Sequence, residues 1–421
     1  MESSWKKCKL GDIITLKRGF DLPKQDRKSG SIPLVSSSGI SDYINVAKIK
    51  GPGVITGRTG TIGIIHFIEN DYWPHNTALY VEDFNGNDPL FIYYFLKTLD
   101  YLKFSDKAAV PGVNRNHLHM EDVAIPDLTM QKRISYILRC LDKKIQLLQE
   151  MNQTLESIAQ ALFKSWFVDF DPVRVKAEGR VPEGLDPEIA VLFPDEFEES
   201  KMRLVPKRWK SRKLGEIVSV KGGYAYKSSV FCETGNPVIK IKNIVGDGTI
   251  SLSNADYINN DQSKRTDAFR LVDGDILIAM TGATIGKTGI IVTDNDMVPY
   301  LNQRVAKFIS KLRNIDKCWF AFIVLQNDFM FNQVINLASG SAQANISTTG
   351  IESILLILPD NLKILEKFNT AISPLFLSWI ENQKQIKLLS ISRDLLLPRL
   401  ISGQLRMTQF SNELGLENEE N

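Results

Sequence analysis

Short polar stretches rich in lysine, arginine, asparagine and glutamine recur in both halves of the 421-residue chain. Arginine and lysine recognise guanine in the major groove of DNA, asparagine and glutamine recognise adenine, and nearby lysine, serine and threonine bind phosphates. In the first half the candidate DNA-binding residues are Lys24, Arg27, Lys28, Ser37, Arg58, Asn114, Arg115 and Asn116. In the second half they are Tyr226, Lys227, Lys240, Lys242, Asn243, Gln303, Arg304, Gln343 and Asn345. Each residue taken singly also fits a structural or merely solvated role, but as sets we expect several contacts with a nucleic acid in each half.

Two glycine-containing or proline-containing stretches resemble cofactor and base-binding motifs, and both are incomplete. Thr281–Thr288 resembles a phosphate-binding loop, but three residues separate Gly282 from Gly286 where that motif needs four. Asp296–Tyr300 lacks the first proline of the loop with which amino-methyltransferases hold their target base, and no glycine-rich cofactor loop precedes it. We therefore expect neither a nucleotide site nor a methyltransferase site.

The remaining candidates for catalysis or metal binding are also isolated. Pro194 and Asp195, followed by Glu199–Lys201, resemble a nuclease motif, but their carboxylates are too close in sequence to come from two separate strands. His117 and His119 could form half of a metal site, yet no partner ligands lie nearby. We expect no catalytic residue, no metal and no cofactor on this chain.

An internal repeat must position the polar stretches. Trp5–Phe20 returns as Trp209–Tyr224 at an offset of 204 residues, and Thr59–Gly63 returns as Thr281–Gly286. A period of about 200 residues is too long for a solenoid, whose units span about 20–50 residues. Two similar mixed α/β domains, related by an approximate two-fold, would present two similar binding surfaces. Such a pair favours a bipartite target.

Composition is that of an ordinary globular protein, with 43% apolar and 24% charged residues. No apolar run reaches the ~20 residues of a membrane helix, the N-terminus lacks the apolar core of a signal peptide, and the four cysteines are scattered. These features predict a cytoplasmic protein with reduced thiols and no membrane contact.

Positive charge is concentrated at the start of each repeat. Residues 1–60 contain 11 Lys and Arg against 5 Asp and Glu, and residues 201–313 contain 19 against 10. Basic blocks fit contact with a polyanion, and a solvated basic face explains them equally well on charge alone.

Short strands and helices alternate within each repeat. Gly53–Thr56 and Asp275–Ile278 are typical of strands followed by glycine-rich turns, while Phe91–Leu99 and Trp319–Leu325 are typical of short buried helices.

A long helix with a heptad seam follows each repeat. The first seam comprises Leu141, Ile145, Leu148, Asn152, Leu155, Ala159, Leu162 and Trp166. The second comprises Leu375, Trp379, Asn382, Ile386, Leu389, Arg393, Leu396 and Leu400. Each contains an internal asparagine, of the kind that often fixes register. Because both seams are two-residue-wide stripes at matching places, we favour mutual pairing over separate packing of each helix on its own domain. Pro374 is expected to bend or start the second helix, and Pro398 to end or kink it.

The first helix, predicted over 129–166, would be roughly 57 Å long at ~1.5 Å per residue. That length exceeds one turn of B-DNA, whose half-sites repeat about every 34–36 Å. The paired helices are therefore predicted to act as a spacer between the two domains.

The predicted organisation is α+β with two similar domains separated by the helix pair. Its parts are a first mixed α/β domain (1–128), a central long helix (129–166), a crossover linker (167–208), a second mixed α/β domain (209–360), a C-terminal long helix (361–405) and an acidic tail (406–421). Aromatic residues in the linker suggest a docked segment.

Four segments resemble one protein family closely. They are the doubled Trp-x₃-Lys-Leu-Gly-acid opening at Trp5 and Trp209, the segment Trp166–Val173, the segment Leu192–Phe197, and the terminal segment Leu395–Leu405. Over nearly its whole length the chain resembles a DNA-specificity subunit of a type I restriction-modification system.

This resemblance implies two target-recognition domains that each read half of an interrupted double-stranded DNA sequence, joined by two long helices that pair antiparallel. It also implies docking of two methyltransferase subunits and two restriction subunits, which use S-adenosylmethionine, ATP and Mg²⁺. The chain itself would be non-catalytic. The alternative is a coiled-coil scaffold with two modules that bind acidic proteins; an independent DNA-modifying enzyme is a third hypothesis.

Lengthening the helix pair tests its role as a spacer. Insertion of one heptad into both helices adds about 10.5 Å at ~1.5 Å per residue and should lengthen the permitted gap between half-sites. The genomic pattern of methylated adenines, with this chain co-expressed beside its methyltransferase partner, measures that gap. An unchanged gap would contradict the spacer hypothesis.

Overall fold

The chain forms two compact units, each built from separate stretches of sequence. In this computed structural model, residues 5–104, 112–199, 204–293, 297–338 and 345–405 are described. Unit 1 comprises Met1–Gln146 with Leu388–Asn421, and unit 2 comprises Leu147–Lys387. Each long helix thus contributes residues to both units. The predicted acidic tail, 406–421, lies outside the described residues.

Unit 1 contains nine named strands and the first helices of the chain. Its elements are β1 (Lys6–Lys9), α1 (Leu10–Ile13), β2 (Thr15–Arg18), β3 (Ser29–Ser36), β4 (Gly39–Ile44), β5 (Gly53–Gly57), β6 (Ile65–Ile68), β7 (Trp73–Pro74), β8 (Ala78–Asp83), α2 (Pro89–Leu96), α3 (Arg115–His119), β9 (Asp122–Ile125) and α4 (Leu128–Phe163). The strand predicted at Gly53–Thr56 is confirmed as β5.

Two sheets and one strand pair make up the β-structure of unit 1. The larger sheet has the order β2-β8-β5-β6, the smaller has the order β4-β3-β7, and β1 pairs with β9. The predicted helix at Phe91–Leu99 is confirmed but begins and ends earlier, as α2. The Asp88 side chain accepts a hydrogen bond from the Phe91 amide at 2.8 Å, and Pro89 occupies the first turn, so both residues fix the helix start.

Unit 2 begins with the segment after α4 and ends within the last helix. Its elements are α5 (Asp171–Ala177), α6 (Pro187–Ala190), β10 (Phe197–Glu199), β11 (Leu204–Pro206), β12 (Trp209–Lys213), β13 (Val218–Gly222), β14 (Phe231–Cys232), β15 (Asn236–Ile239), β16 (Gly248–Thr249), β17 (Asp256–Ile258), α7 (Asn260–Arg265), β18 (Ile276–Ala279), β19 (Thr288–Ile290), β20 (Tyr300–Leu301), β21 (Val305–Ser310), α8 (Trp319–Gln326), α9 (Asp328–Ala338), α10 (Thr348–Glu352), β22 (Leu355–Pro359) and α11 (Lys363–Ile401).

Unit 2 repeats the topology of unit 1. Its larger sheet has the order β13-β21-β18-β19-β16, in which the first four strands correspond to β2-β8-β5-β6. In the smaller sheets β3 and β15 each pair antiparallel with one neighbour and parallel with another. The pair β12-β22 corresponds to β1-β9. The strand predicted at Asp275–Ile278 and the helix predicted at Trp319–Leu325 are confirmed as β18 and α8. Two similar α+β domains are therefore confirmed.

The two long helices, α4 and α11, pair with each other within each unit. In unit 1 the Arg393 Nη1 atom lies 2.8 Å from the Asp142 Oδ1 atom. In unit 2 the Asn382 Nδ2 atom donates to the Asn152 Oδ1 atom at 2.8 Å. Farther along α4 the contacts move backward along α11, since Phe163 packs near Phe368. The helices therefore run antiparallel, and all the predicted seam residues are buried or half-buried.

The two long helices are confirmed, and their ends differ in detail from the predicted ones. The first α-helix ends at Phe163, and one turn of π-helix, Lys164–Val168, follows it. Pro374 neither starts α11 nor interrupts it, and Pro398 is followed by one further helical turn. Buried Phe368, on one side of Pro374, and a continuous apolar face beyond it hold α11 together, which offsets the roughly 3 kcal/mol cost of an internal proline.

The segment predicted as a crossover linker packs within unit 2. Trp166 and Phe167 are buried at the end of α4, and the Phe167 ring lies 4.9 Å from that of Phe320. Phe170 adopts a left-handed backbone conformation (φ 56°), and its ring contacts Trp209, which opens the second repeat. The segment after α4 therefore completes the core of unit 2.

The end of α11 does the same for unit 1. Leu400 and Ile401 are buried in its core, and the Nε1 atom of Trp5, which opens the first repeat, donates to the Ile401 carbonyl at 2.7 Å. Gly403 follows with φ 74°, and a Cβ atom there would lie 3.0 Å from the Trp5 ring. Each repeat is therefore closed by a helix end packed on its opening tryptophan.

The buried amide pair of the helix seam gives a test by double substitution. Asn382→Leu leaves the buried Asn152 Oδ1 atom without the donor that Asn382 supplies, while Asn152 Nδ2 keeps the Trp379 carbonyl, and should lower the free energy of unfolding by about 1–3 kcal/mol. Replacing both residues by leucine should cost less than the sum of the single substitutions, because both polar groups are removed together. Urea unfolding of the four chains measures this coupling, and strictly additive costs would contradict it.

Candidate nucleic-acid interface

Four polar segments of unit 1 converge where its strands end, and we call them loop cluster 1: Ser36–Ser38, Arg58–Thr59, His75–Thr77 and Asn114–Asn116. The Arg58 amide donates to the Thr77 carbonyl at 2.9 Å, and the Ser37 amide donates to the Thr77 hydroxyl at 3.3 Å. Val113, directly before Asn114, donates its amide to the Arg58 carbonyl at 2.8 Å. The structure thus brings together predicted residues that are up to 79 positions apart in the chain.

Predicted basic residues of unit 1 differ in how much of their charge is available. Arg27 donates through Nε and Nη2 to the Leu22 carbonyl and through Nη1 to Asp42, all at 3.2 Å. It therefore stabilises its own loop. Lys24 and Lys28 are exposed beside it, and Arg115 and Asn116 are exposed in loop cluster 1. The Asn114 side chain caps α3 by accepting from the Asn116 amide at 2.9 Å.

Histidines contribute little positive charge to this surface at neutral pH. Burial, and then the nearby charge of Arg27, lower the pKa of His75 below its ordinary value of 6.5. Burial also lowers the pKa of His66. The charge available to an anion in loop cluster 1 therefore comes from arginine side chains.

Unit 2 presents an equivalent arrangement, loop cluster 2: Tyr224–Tyr226, Lys240–Asn243, Asn302–Arg304 and Asn345, together with the turn after β18. The Gln303 amide donates to the Tyr224 carbonyl at 3.0 Å, and the Asn302 amide donates to the Ile239 carbonyl at 3.1 Å. Thr281 forms a backbone bridge with Asn345, as Thr59 does with Gly112 in unit 1. Gln303, Arg304 and Asn345 are exposed, as is Lys227 next to Tyr226.

Two predicted DNA-binding residues of unit 2 are buried instead. The Tyr226 hydroxyl lies 3.0 Å from the Thr266 hydroxyl, and the side chain is 7% exposed. Asn243 is 1% exposed; its side chain accepts from the Lys240 amide at 2.9 Å and donates to the Ser251 carbonyl at 2.8 Å. Both side chains use their polar groups within the protein, so we assign them structural roles. Predicted Gln343 lies outside the described residues.

One carboxylate holds both predicted lysines of loop cluster 2. The Nζ atoms of Lys240 and Lys242 each lie 3.0 Å from the Asp256 Oδ2 atom. Burial would raise the pKa of Asp256, but the hydrogen bonds and charges of the two lysines outweigh it and lower that pKa. Lys240 also lies over the Phe231 ring at 3.7 Å from its centroid. An approaching phosphate would have to compete with Asp256 for these lysines.

Sequence reasoning missed the turn His75–Thr77, which forms the centre of loop cluster 1. Its equivalent in unit 2 is the predicted triplet Asn302–Arg304, because each turn directly precedes the corresponding strand, β8 or β21. Alignment of the two repeats through these strands would have found it, although the offset there is 227 residues and not 204.

One histidine of the pair considered as half of a metal site, His119, has a structural role. The His119 Nε2 atom accepts a hydrogen bond from the Leu16 amide at 2.9 Å. In unit 2 the Glu352 carboxylate accepts from the equivalent amide, that of Val220, at 2.7 Å. Within the described ranges no group of three or more His, Cys, Asp or Glu side chains could hold a metal ion. None of the described helices is both long and apolar enough to cross a membrane.

Comparison with known proteins identifies the family. The model of the type I restriction modification DNA specificity domain matches residues 2–157 and 206–388. The HindI specificity subunit of Haemophilus influenzae is 28% identical over 96% of this chain and 100% of its own length. The MjaIX specificity subunit of Methanocaldococcus jannaschii is 26% identical over 86% of this chain and 79% of its own.

A solved structure shares the fold. The S subunit of a type I restriction-modification system from M. genitalium aligns with a TM-score of 0.64 at 14% identity, covering 95% of this chain and 96% of that one. The chain belongs to the type I restriction-modification DNA specificity family.

Acidification should destabilise unit 1 through His119. Burial, and then Arg115, lower the pKa of His119 below its ordinary 6.5, and only the unprotonated Nε2 atom can accept from Leu16. The unfolded chain therefore binds the proton first as the pH falls, so this contribution to stability is complete above about pH 6.5 and is lost below it. His119→Gln, which can accept without titrating, should reduce the fall in Tm between pH 7.5 and 5.5.

The matched control is His117→Gln, because His117 is exposed on the same short helix. We expect this variant to keep the acid sensitivity of the unsubstituted chain. An equal change of Tm in the two variants would contradict the assigned role of His119.

Proposed function

We propose that the chain reads a bipartite, interrupted sequence on double-stranded DNA, with one half-site contacted by each unit. The observation that carries this proposal is the equivalence of the two loop clusters, which form at corresponding strand ends of two sheets with the same strand order. Polar side chains at such positions can enter the major groove while the surrounding lysines bind phosphates. The specificity named in the relatives' descriptions supports the same function.

The two half-sites differ in sequence. Loop cluster 1 presents Arg58, Arg115 and Asn116, whereas loop cluster 2 presents Gln303, Arg304 and Asn345. Since hydrogen-bonding side chains at equivalent positions are not the same, two identical half-sites would leave donors or acceptors of one unit unpaired.

The long helices dock the catalytic partners. Large apolar side chains are exposed along α4 at Tyr136 (71%), Leu147 (50%), Met151 (45%) and Ile158 (43%), which follow approximately helical spacing. The second helix, α11, exposes Leu377, Leu388, Ile391 and Leu395. Several large apolar side chains exposed on one helix are typical of a surface that binds another protein. We assign these faces to two methyltransferase subunits that use S-adenosylmethionine. Two restriction subunits that use ATP and Mg²⁺ complete the complex. The complex acts in the cytoplasm, where the DNA is.

Salt dependence tests the phosphate contacts. Replacing both exposed lysines, Lys24 and Lys28, by alanine should reduce the slope of log affinity against log salt by about 1.8, at about 0.9 for each lost contact to B-DNA. The measurement is fluorescence anisotropy of the chain, in complex with its methyltransferase partner, on a duplex that carries the selected target.

Lys6→Ala with Lys7→Ala is the matched control, because it removes the same charge from exposed positions of β1, which pairs with β9 and does not belong to the basic stretch Lys24–Lys28. The control should retain the original slope. If both double variants change the slope equally, the lysines act only through net charge. Retention of acidic proteins with no selectivity between duplexes would instead favour a protein-binding scaffold.

A further inference from the structure

Each large sheet ends in a cross-strand pair that carries one arginine. In unit 1, β5 and β8 run antiparallel with Gly57 opposite Ala78. The next pair beyond the strands is therefore Arg58 opposite Thr77, and the Arg58 amide donates to the Thr77 carbonyl at 2.9 Å. The arginine follows β5.

In unit 2 the arginine stands on the other member of the same pair. Strands β18 and β21 run antiparallel with Ala279 opposite Val305. The next pair is Met280 opposite Arg304, and the Met280 amide donates to the Arg304 carbonyl at 3.0 Å. Directly opposed residues have Cβ atoms about 4.5–5.5 Å apart. The exchange of strands thus keeps one arginine near the same place in each loop cluster.

The Arg58 side chain is held in a way that suits base recognition. Its Nε atom donates to the Asn76 carbonyl at 3.1 Å, and the residue is half-buried. A guanidinium anchored through Nε keeps its two terminal amino groups for a bidentate partner, and guanine, with O6 and N7, is the base that accepts such a pair. Arg27, by contrast, uses Nε and both terminal nitrogens within the protein, on the Leu22 carbonyl and on Asp42 of β4.

Arg304 lies at the corresponding place on the opposite strand. It is exposed directly before β21, and Met280, which faces it, is 6% exposed and has no N–H or O–H group in its side chain. Arg304 is therefore the polar member of the Met280–Arg304 pair, and Arg58 supplies the arginine of the Arg58–Thr77 pair in unit 1.

We propose that Arg58 and Arg304 are the guanine-reading residues of the two half-sites, placed on opposite strands of one equivalent cross-strand pair. This inference rests on the proposed function, since it names the specificity determinants of the same DNA-binding surfaces. It assigns at least one guanine contact to each half-site.

The experiment is selection from a randomised duplex library with the full chain in complex with its methyltransferase partner. The unsubstituted complex should select two informative blocks, each with a guanine. Arg58→Ala should reduce the preference for that guanine about tenfold or more in one block and leave the other block unchanged. Arg304→Ala should do the same in the other block.

Arg58→Lys and Arg304→Lys keep the charge but lose the planar fork that binds O6 and N7 together, so they should weaken the guanine preference while retaining the salt dependence. These variants also remain informative where the alanine variants fail to fold. If alanine weakens binding to all sequences equally and lysine restores it, the arginines are phosphate contacts, and the inference is overturned while the proposed function stands. If the unsubstituted complex selects no bipartite sequence, both are overturned.

Discussion

Neither unit closes its core with its own repeat, and this constraint shapes the whole molecule. Unit 1 needs Leu400 and Ile401 from the end of α11 beneath Trp5, while unit 2 needs Trp166 and Phe167 from the end of α4 beside Trp209. The burial of these helix-end residues stabilises each unit. It also fixes the position of that helix end relative to the sheets of the same unit. This packing of the core also holds the loops of each unit in defined positions, which sequence-specific recognition requires.

Duplication and divergence are visible at single positions. The backbone hydrogen bonds are retained. The Leu16 amide donates to His119 of α3, and the equivalent Val220 amide donates to Glu352 of α10. The exposed loops, by contrast, carry different polar side chains in the two units. A buried amide needs a hydrogen-bond acceptor, and several residue types can supply it. The residues at exposed loop positions are instead determined by the ligand that they contact.

Sequence patterns predicted the repeat, the seam of α4 and α11 and the two short buried helices, because apolar spacing and buried packing are local and periodic. They did not place the start of α11 relative to Pro374: the helix begins before this proline and continues through it, where tertiary packing outweighs the local cost of proline. Site residues were harder to predict. Tyr226 and Asn243 have the right residue types for DNA contact, but their partners, Thr266 and Ser251, are 40 and 8 residues away in the chain. Whether a polar side chain is free to contact DNA depends on such partners within the fold, and the residue type alone does not reveal them.

Cross-linking both loop clusters to one duplex most directly tests whether the units read DNA together. A photoreactive amino acid is introduced at exposed Ser38 of loop cluster 1 or at exposed Gln303 of loop cluster 2, and the cross-linked bases are mapped on a duplex that carries the selected target. Two separate groups of bases, one for each position and divided by the uninformative spacer, are expected. Cross-links from only one position, or from both positions to the same bases, would contradict recognition of two half-sites by two units.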